Sequence, residues 1–423
     1  MSAQIASRYQ CHLAPDLADW FDSGVWKQTG LSEYCDPVDP QELLSDAPEV
    51  IWPGLMPCDF LPLIGSHAGD WLGVKFDRNN QASEIIQWYH GGGDWIPWGK
   101  KISEAIVFGA VCNRLPGPRR RHAIPADDFR ESTSNTADDP LLRWASDHVT
   151  IEHHQLQDGA LSGEELACVL LEHGVAEVAV RCELVQSALA ESLSEVLNHR
   201  TAQSIGIDWP TAVSWMFDNE LIPEPKLHQL ESRYGYKVGP AQNWQLAQQH
   251  AQAVTDSFAD ITWGWDLLGY CHEKTQRIDQ ATAAYRQGVT QSVFADQSVK
   301  LRTHWTAHTA AKFSAARLAV ISADSHSDQP LSMPADYLDA LTNGTQEQRR
   351  IAVKEYWLAV AQQSSNPADR FDAYLAAGWD LGAEPITAFA DILSKLSQSD
   401  ASQTARTALA KTHRECLSQR YGI

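Results

Sequence analysis

The residues that could do chemistry are spread along the chain, and their spacing decides how far each could go. His67 and Asp70 lie three positions apart, a spacing at which an imidazole and a carboxylate can share a proton or simply close a loop by a hydrogen bond. His90-Gly91-Gly92-Gly93 has the letters of an esterase oxyanion-hole loop. That chemistry needs a serine on a G-x-S-x-G elbow, which the chain lacks, so the run reads as a turn. Glu152-His153-His154 offers adjacent histidines, but neighbouring side chains point apart on a helix or strand, and no H-E-x-x-H spacing brings a second pair. Neither a Walker A loop nor a G-x-G-x-x-G fingerprint occurs, which removes nucleotide binding by those routes. Eight cysteines without a C-x-x-C pair argue against a zinc finger or ribbon and read as small buried hydrophobes. No catalytic, cofactor-binding or metal-binding residue is assigned, and no cofactor is expected. The alternative reading is a hydrolase whose site lies between the domains and uses His67, His90 or the His153–His154 pair.

The elements that must position these groups centre on Leu61–Val107, where aromatics are dense. Trp71-Leu72-Gly73-Val74-Lys75-Phe76 mixes strand formers with one glycine. Asp77-Arg78-Asn79-Asn80 is a turn signal, because Asn and Asp tolerate left-handed backbone. Glu84–His90 is the partner strand, ending in Gly91–Asp94. Asp59–Gly65 is a further strand, assigned to a sheet edge by Pro62. Ser103 is the expected N-cap of a helix carrying Ile106, Val107 and Ala110. Trp71, Trp88, Tyr89, Trp95 and Trp98, with Asp70 and Asp94 at the adjoining turns, are the candidate partner-binding residues. Trp and Tyr give large contact area at small entropic cost, and strand alternation sends Trp88 and Tyr89 to opposite faces.

At 423 residues the chain calls for more than one core. The sequence predicts an α+β domain over 1–115, a small antiparallel sheet with packed helices. A linker over 116–140 and an all-α, helical-repeat-like domain over 141–423 follow. Before the sheet, Pro15–Phe21 reads as a short helix with Leu17, Trp20 and Phe21 on one face. In the helical half, Ser162-Gly163-Glu164-Glu165 and Thr345-x-x-Gln348 are capping boxes, and Gly174 and Gly378 are expected helix ends. Trp265, Leu268-Gly269, His272, Ala281 and Tyr285 fall near the tetratricopeptide spacing, so the stretch around 262–291 resembles one such unit. The expected later proline and a second copy are missing.

A net charge of -21 opposes direct contact with nucleic-acid backbone and suits a basic partner. No apolar run is long enough for a bilayer span, and the first residues lack the apolar core of a signal peptide, so a cytoplasmic protein is expected. Oligomeric state is left open.

Gly65-Ser66-His67-Ala68-Gly69-Asp70-Trp71-Leu72-Gly73-Val74-Lys75-Phe76-Asp77, followed by Ile85–His90 and Ile102–Ile106, resembles the SUKH superfamily over about residues 50–110. That group includes the yeast cell-wall-synthesis regulator and bacterial toxin-immunity proteins. The resemblance implies an α+β fold and binding to proteins in place of catalysis, many bacterial members neutralising toxins by docking on them. It brings no catalytic residue. An excess of 15 Asp and Glu over 7 Lys and Arg in residues 1–115 is compatible with a basic toxin as partner.

Overall fold

The computed structural model describes residues 1–28, 34–53, 56–67, 69–88, 95–116, 139–157, 159–190, 203–206, 224–234, 243–291, 313–324, 334–378, 386–398 and 403–423. The fold is α+β, an N-terminal antiparallel sheet followed mostly by helices. The chain forms two compact units: Met1–Cys112 with Thr133–Ala179 and Thr345–Ile423, and Asn113–Ser132 with Val180–Gly344. These units divide the chain otherwise than at 1–115, 116–140 and 141–423: helices from both ends of the helical half fall in the sheet-bearing unit, and most of 116–140 lies outside the described residues. Helical periodicity marks a buried face but not what buries it.

The sheet is a meander in which β1 (Tyr34–Pro37), β2 (Phe60–Ser66), β3 (Trp71–Phe76), β4 (Ala82–Trp88) and β5 (Trp95–Gly99) each pair antiparallel with the next. The Asp77 turn forms as expected. Its Oδ1 accepts the backbone N–H groups of Asn79 and Gln81, each at 2.8 Å, and Asn80 takes φ 62°. Pro62 does not mark an edge: β2 has neighbours on both sides, and a register shift between Pro62 and Ile64 accommodates the missing N–H. Gly73 is required opposite this point, since a Cβ there would lie 2.4 Å from both the Leu61 carbonyl oxygen and the Phe60 ring.

Three helices share this unit: α1 (Ser2–Tyr9), α2 (Pro15–Ser23) and α3 (Ile102–Val111), with α3 packed on β5, α2 on α3 and α1 on α2. Leu17, Trp20 and Phe21 of α2 are all buried, as their shared face predicts. Ser103 is not the cap of α3. The helix already includes it, Lys101 holds the cap position, and buried Ser103 donates through N–H (3.0 Å) and Oγ (2.9 Å) to Asp16 Oδ2. A carboxylate from α2 thus satisfies a first-turn N–H that would otherwise lack a partner.

Next come α4 (Pro140–Val149), α5 (Gly163–Glu172) and α6 (Glu177–Ala190). The Ser162–Glu165 capping box opens α5, and Gly174 lies just beyond its end at φ 66°. Thr345 and Gln348 cap Gln346–Gln363 in the same way, and Pro367–Gly378 ends at the expected glycine. The C-terminal helix Thr404–Tyr421 returns to the sheet. Ala405 N–H donates to Asn80 Oδ1 at 2.9 Å, Gln403 Nε2 to the Arg78 carbonyl at 3.0 Å, and Arg420 to the Ile51 carbonyl at 2.7 Å.

In the second unit, helices Trp244–Ser257, Thr262–Lys274, Ile278–Thr290, Phe313–Asp324 and Ala335–Asn343 each pack on the next in chain order. The hairpin expected around 262–291 is its tightest part. Ala281 and Tyr285 are fully buried. The buried tryptophan, however, is Trp263; Trp265 is only half-buried and donates its indole N–H to the Ala259 carbonyl at 2.6 Å. A Cβ on Gly269 would lie 2.3 Å from Tyr285 Cε1, and the Tyr285 hydroxyl is tied to Glu273 at 2.9 Å. Gly269→Ala therefore gains about 1 kcal/mol in helix propensity but forces the helices apart at an overpacking cost of about 1–3 kcal/mol. Faster hydrogen exchange in residues 262–291 than in the parent is the expected result; unchanged exchange would show that the ring can move aside.

Candidate functional site

The aromatic cluster proposed as a partner surface lies mostly inside the sheet unit. Trp88, Trp95 and Trp98 are 2%, 3% and 5% exposed and Asp70 is also buried, while Trp71 is half-buried and Tyr89 and Asp94 fall outside the described residues. Trp71 pairs across the strands with Trp88, and Trp88 with Trp95. Trp98 meets Phe108 edge-on at 5.0 Å and Tyr34, from the opposite edge strand, at 5.4 Å. Edge strands of a flat five-stranded sheet would stand about 19 Å apart, four spacings of ~4.8 Å, so this contact requires a strongly curled sheet. The rings are large because they fill that curl. Trp98 on β5 lies against Phe108 of α3, which packs on that strand.

An exposed polar cluster of the sheet unit joins His67 to Cys35 and Asp36, two residues that no local pattern links to it. Cys35 and Asp36 of β1 meet His67, the residue after β2: Cys35 Sγ is 3.0 Å from His67 Nε2, and His67 Nδ1 is 3.3 Å from Asp36 Oδ2. Adjacent strand residues ordinarily face opposite ways. Here the β1–β2 register shifts between Tyr34 and Asp36, leaving Cys35 as the extra residue of a bulge. Such a bulge re-aims side chains, and it lets two consecutive residues reach one imidazole. Tyr34 anchors the bulge from within, buried against Trp98 and hydrogen-bonded to Gln87.

Both contacts are satisfied if the imidazole proton is on Nδ1, which then donates to Asp36 while Nε2 accepts from the thiol. Thiol, imidazole and carboxylate in line are also the parts of an activated cysteine nucleophile. The electrostatics here oppose that use, because burial, followed by the negative charge of Asp36, pushes the Cys35 thiol up. His67 and Asp36 are 82% and 58% exposed, so water reaches the line freely and the low-dielectric gain that enclosed sites enjoy is missing.

Among the described residues this is the one place where three or more Cys, His, Asp or Glu side chains converge closely enough to hold a metal ion. His67 pairs with Asp36 and not with Asp70, whose backbone N–H instead donates to Ser66 Oγ at 3.0 Å. His154 contacts the neighbouring Glu152 at 3.1 Å on an exposed 3-10 turn, and His90 lies outside the described residues. Of the cysteines, Cys11, Cys58, Cys182, Cys271 and Cys416 are buried as expected, whereas Cys35 and Cys112 are half-buried and Cys168 is exposed.

A second polar cluster ties the sheet to the C-terminal helices. Buried Asp59 lies 3.7 Å from Lys75 and 3.4 Å from Arg406. Arg406 also donates to Asp372, and Arg78 bridges Asp369 and Asp372, each at 2.6 Å. Every charge here has an opposite partner, as a structural network requires.

Comparison with known proteins finds no family, no curated relative and no solved structure that matches this chain. Among the described residues no helix is long and apolar enough to cross a membrane.

Proposed function

We propose that this chain is a non-catalytic, cytoplasmic protein-binding protein that docks a basic protein partner, in the manner of an immunity or regulatory protein. The observation that carries the reading is that each of the five described helices between Trp244 and Asn343 packs on the next described one. Helical arrays of this kind present extended surfaces that other chains occupy. A net charge of -21 gives long-range attraction to a basic protein and repels nucleic acid. The resemblance of residues 50–110 to the SUKH superfamily supports the same reading, with a toxin as the class of partner. The hydrolase alternative gains no support from the histidines, which are not gathered into an enclosed site among the described residues.

Affinity capture from the native cell with the full chain should recover a basic protein in a defined complex. Raising ionic strength from about 0.15 M to 0.5 M should weaken that complex on the order of tenfold, because the attraction is between exposed charges. Failure to recover any protein, with the purified chain staying alone at high concentration, would end the proposal.

A further inference from the structure

We propose that Cys35, Asp36 and His67 form a binding site for a divalent transition-metal cation of the zinc class. The three side chains offer a sulfur, a carboxylate oxygen and an imidazole nitrogen whose candidate ligand atoms all lie within 4.8 Å of one another. A tetrahedral zinc ion with bonds of about 2.0–2.3 Å needs ligand atoms about 3.3–3.8 Å apart. The contacts of 3.0 Å to Cys35 and 3.3 Å to Asp36 end on different ring nitrogens, Nε2 and Nδ1, so one contact is given up when a single nitrogen turns to the ion, within the 4.8 Å span of the set. The adjustment falls on the exposed side chains of His67 and Asp36, which turn to bring one ring nitrogen and one carboxylate oxygen to the ion.

The mixed ligand set selects the cation. Magnesium and calcium take oxygen ligands, whereas thiolate and imidazole suit zinc and its first-row neighbours. Three protein ligands leave one tetrahedral position to water, and the exposure of the site keeps it open to exchange. The features that oppose a cysteine nucleophile favour a cation. The carboxylate beside the thiol disfavours a free thiolate but attracts a divalent ion, and coordination displaces the thiol proton. The balance is one S–H proton released to solvent for each Cys35–metal bond formed, with no change of oxidation state.

The backbone supplies a reason for the bulge. Without it, Cys35 and Asp36 would face opposite sides of β1 and only one could reach His67. β1 has only four residues, and an ion held by β1 and by the residue after β2 would pin this short edge strand to its neighbour. The site is independent of the partner proposed above, since its ligands all belong to this chain.

The test uses the full chain, reduced and stripped by a chelator, then titrated with cobalt(II) as a spectroscopic probe and with zinc(II) in competition. One equivalent of cobalt should produce a thiolate charge-transfer absorption, and zinc should abolish it. Cys35→Ser should eliminate the band, and Cys168→Ser, at the exposed cysteine, should retain it. His67→Ala and Asp36→Asn should each weaken zinc binding by at least about 10–100-fold, the range already seen when groups that merely orient a ligand are removed. Should Cys35→Ser disturb the edge strand, as judged by its metal-free melting curve, the exposed His67→Ala variant carries the test. A band that survives Cys35→Ser, zinc affinity unchanged in His67→Ala, or a wild-type dissociation constant weaker than about 1 mM would each overturn the site.

Discussion

Arg406→Ala is expected to destabilise the sheet-bearing unit by roughly 3–5 kcal/mol, the cost of leaving a buried ion without its partner. The Arg406 and Asp59 side chains are 5% and 2% exposed and lie 3.4 Å apart, so water cannot replace the lost charge. The guanidinium also donates to Asp372 and stacks 4.1 Å above the Phe371 ring, so truncation removes packing as well as charge. Burial alone would raise the Asp372 carboxyl, yet Arg406 and then Arg78 outweigh it and hold that group below the usual carboxylate range. Lys75, 3.7 Å from Asp59, keeps one cation in place, which sets the expectation toward the lower end of the range. Arg406→Lys should fall between parent and alanine variant, because a point charge cannot reach both carboxylates as a fork does. The joint replacement Asp59→Asn with Arg406→Met should recover part of the loss, since it leaves no unpaired charge at Asp59. With two compact units, a single melting curve mixes two events. Hydrogen exchange resolved to residues 58–76 and 404–420 is the measurement that isolates the effect. A loss under about 1 kcal/mol would mean that Lys75 alone satisfies Asp59.

This network also shows where the sequence stops being readable. Signals confined to a few residues survive intact: the Ser162–Glu165 and Thr345–Gln348 capping boxes, the Asp77 turn, and the glycine at 269 that admits the Tyr285 ring all appear as their local chemistry requires. Arg406 and Asp59 are 347 residues apart, and nothing local to either marks the other. Each reads as an ordinary surface charge until the fold buries both. Nothing local to Thr404–Tyr421 announces that this helix meets a sheet built from the first hundred residues. The aromatic stretch is the converse case. Trp88 is legible as a strand residue, whereas β5 with Trp95 and Trp98 carries no signal that marks it as one, and whether a ring packs inward or meets a partner depends on sheet curl, which is not written in alternation. The Cys35–His67 contact depends on one extra residue in β1, and short, proline-ended Tyr34–Pro37 carries no pattern strong enough to announce a bulge.

The C-terminal helix carries the second large effect, and it depends on pH. His413 is fully buried, and burial holds its imidazole down to about 3 from the ordinary 6.5, with the charge of Arg420 adding to the shift and the nearby Phe60 backbone opposing it. The unfolded chain takes up a proton at this residue below its ordinary value while the folded chain refuses it. His413 therefore leaves stability untouched above 6.5 and reduces it progressively as pH falls toward about 3. Between pH 6.5 and about 4 the loss is roughly 3 kcal/mol, from 1.36 kcal/mol per unit of difference. His413→Leu fills similar space without a proton site. The exchange also alters packing at every pH, so the slope with pH and not the absolute stability carries the result. Over the same range the variant should lose roughly 3 kcal/mol less than the parent. Glu104, whose carboxyl burial pushes up, acts in the opposite sense but equally in both proteins, and so cancels in the comparison. Denaturant titrations of both chains across this range, read through exchange of residues 404–420, give the two slopes. Parallel slopes would mean that the folded chain admits the proton, and that the helix opens around His413 well before the unit unfolds.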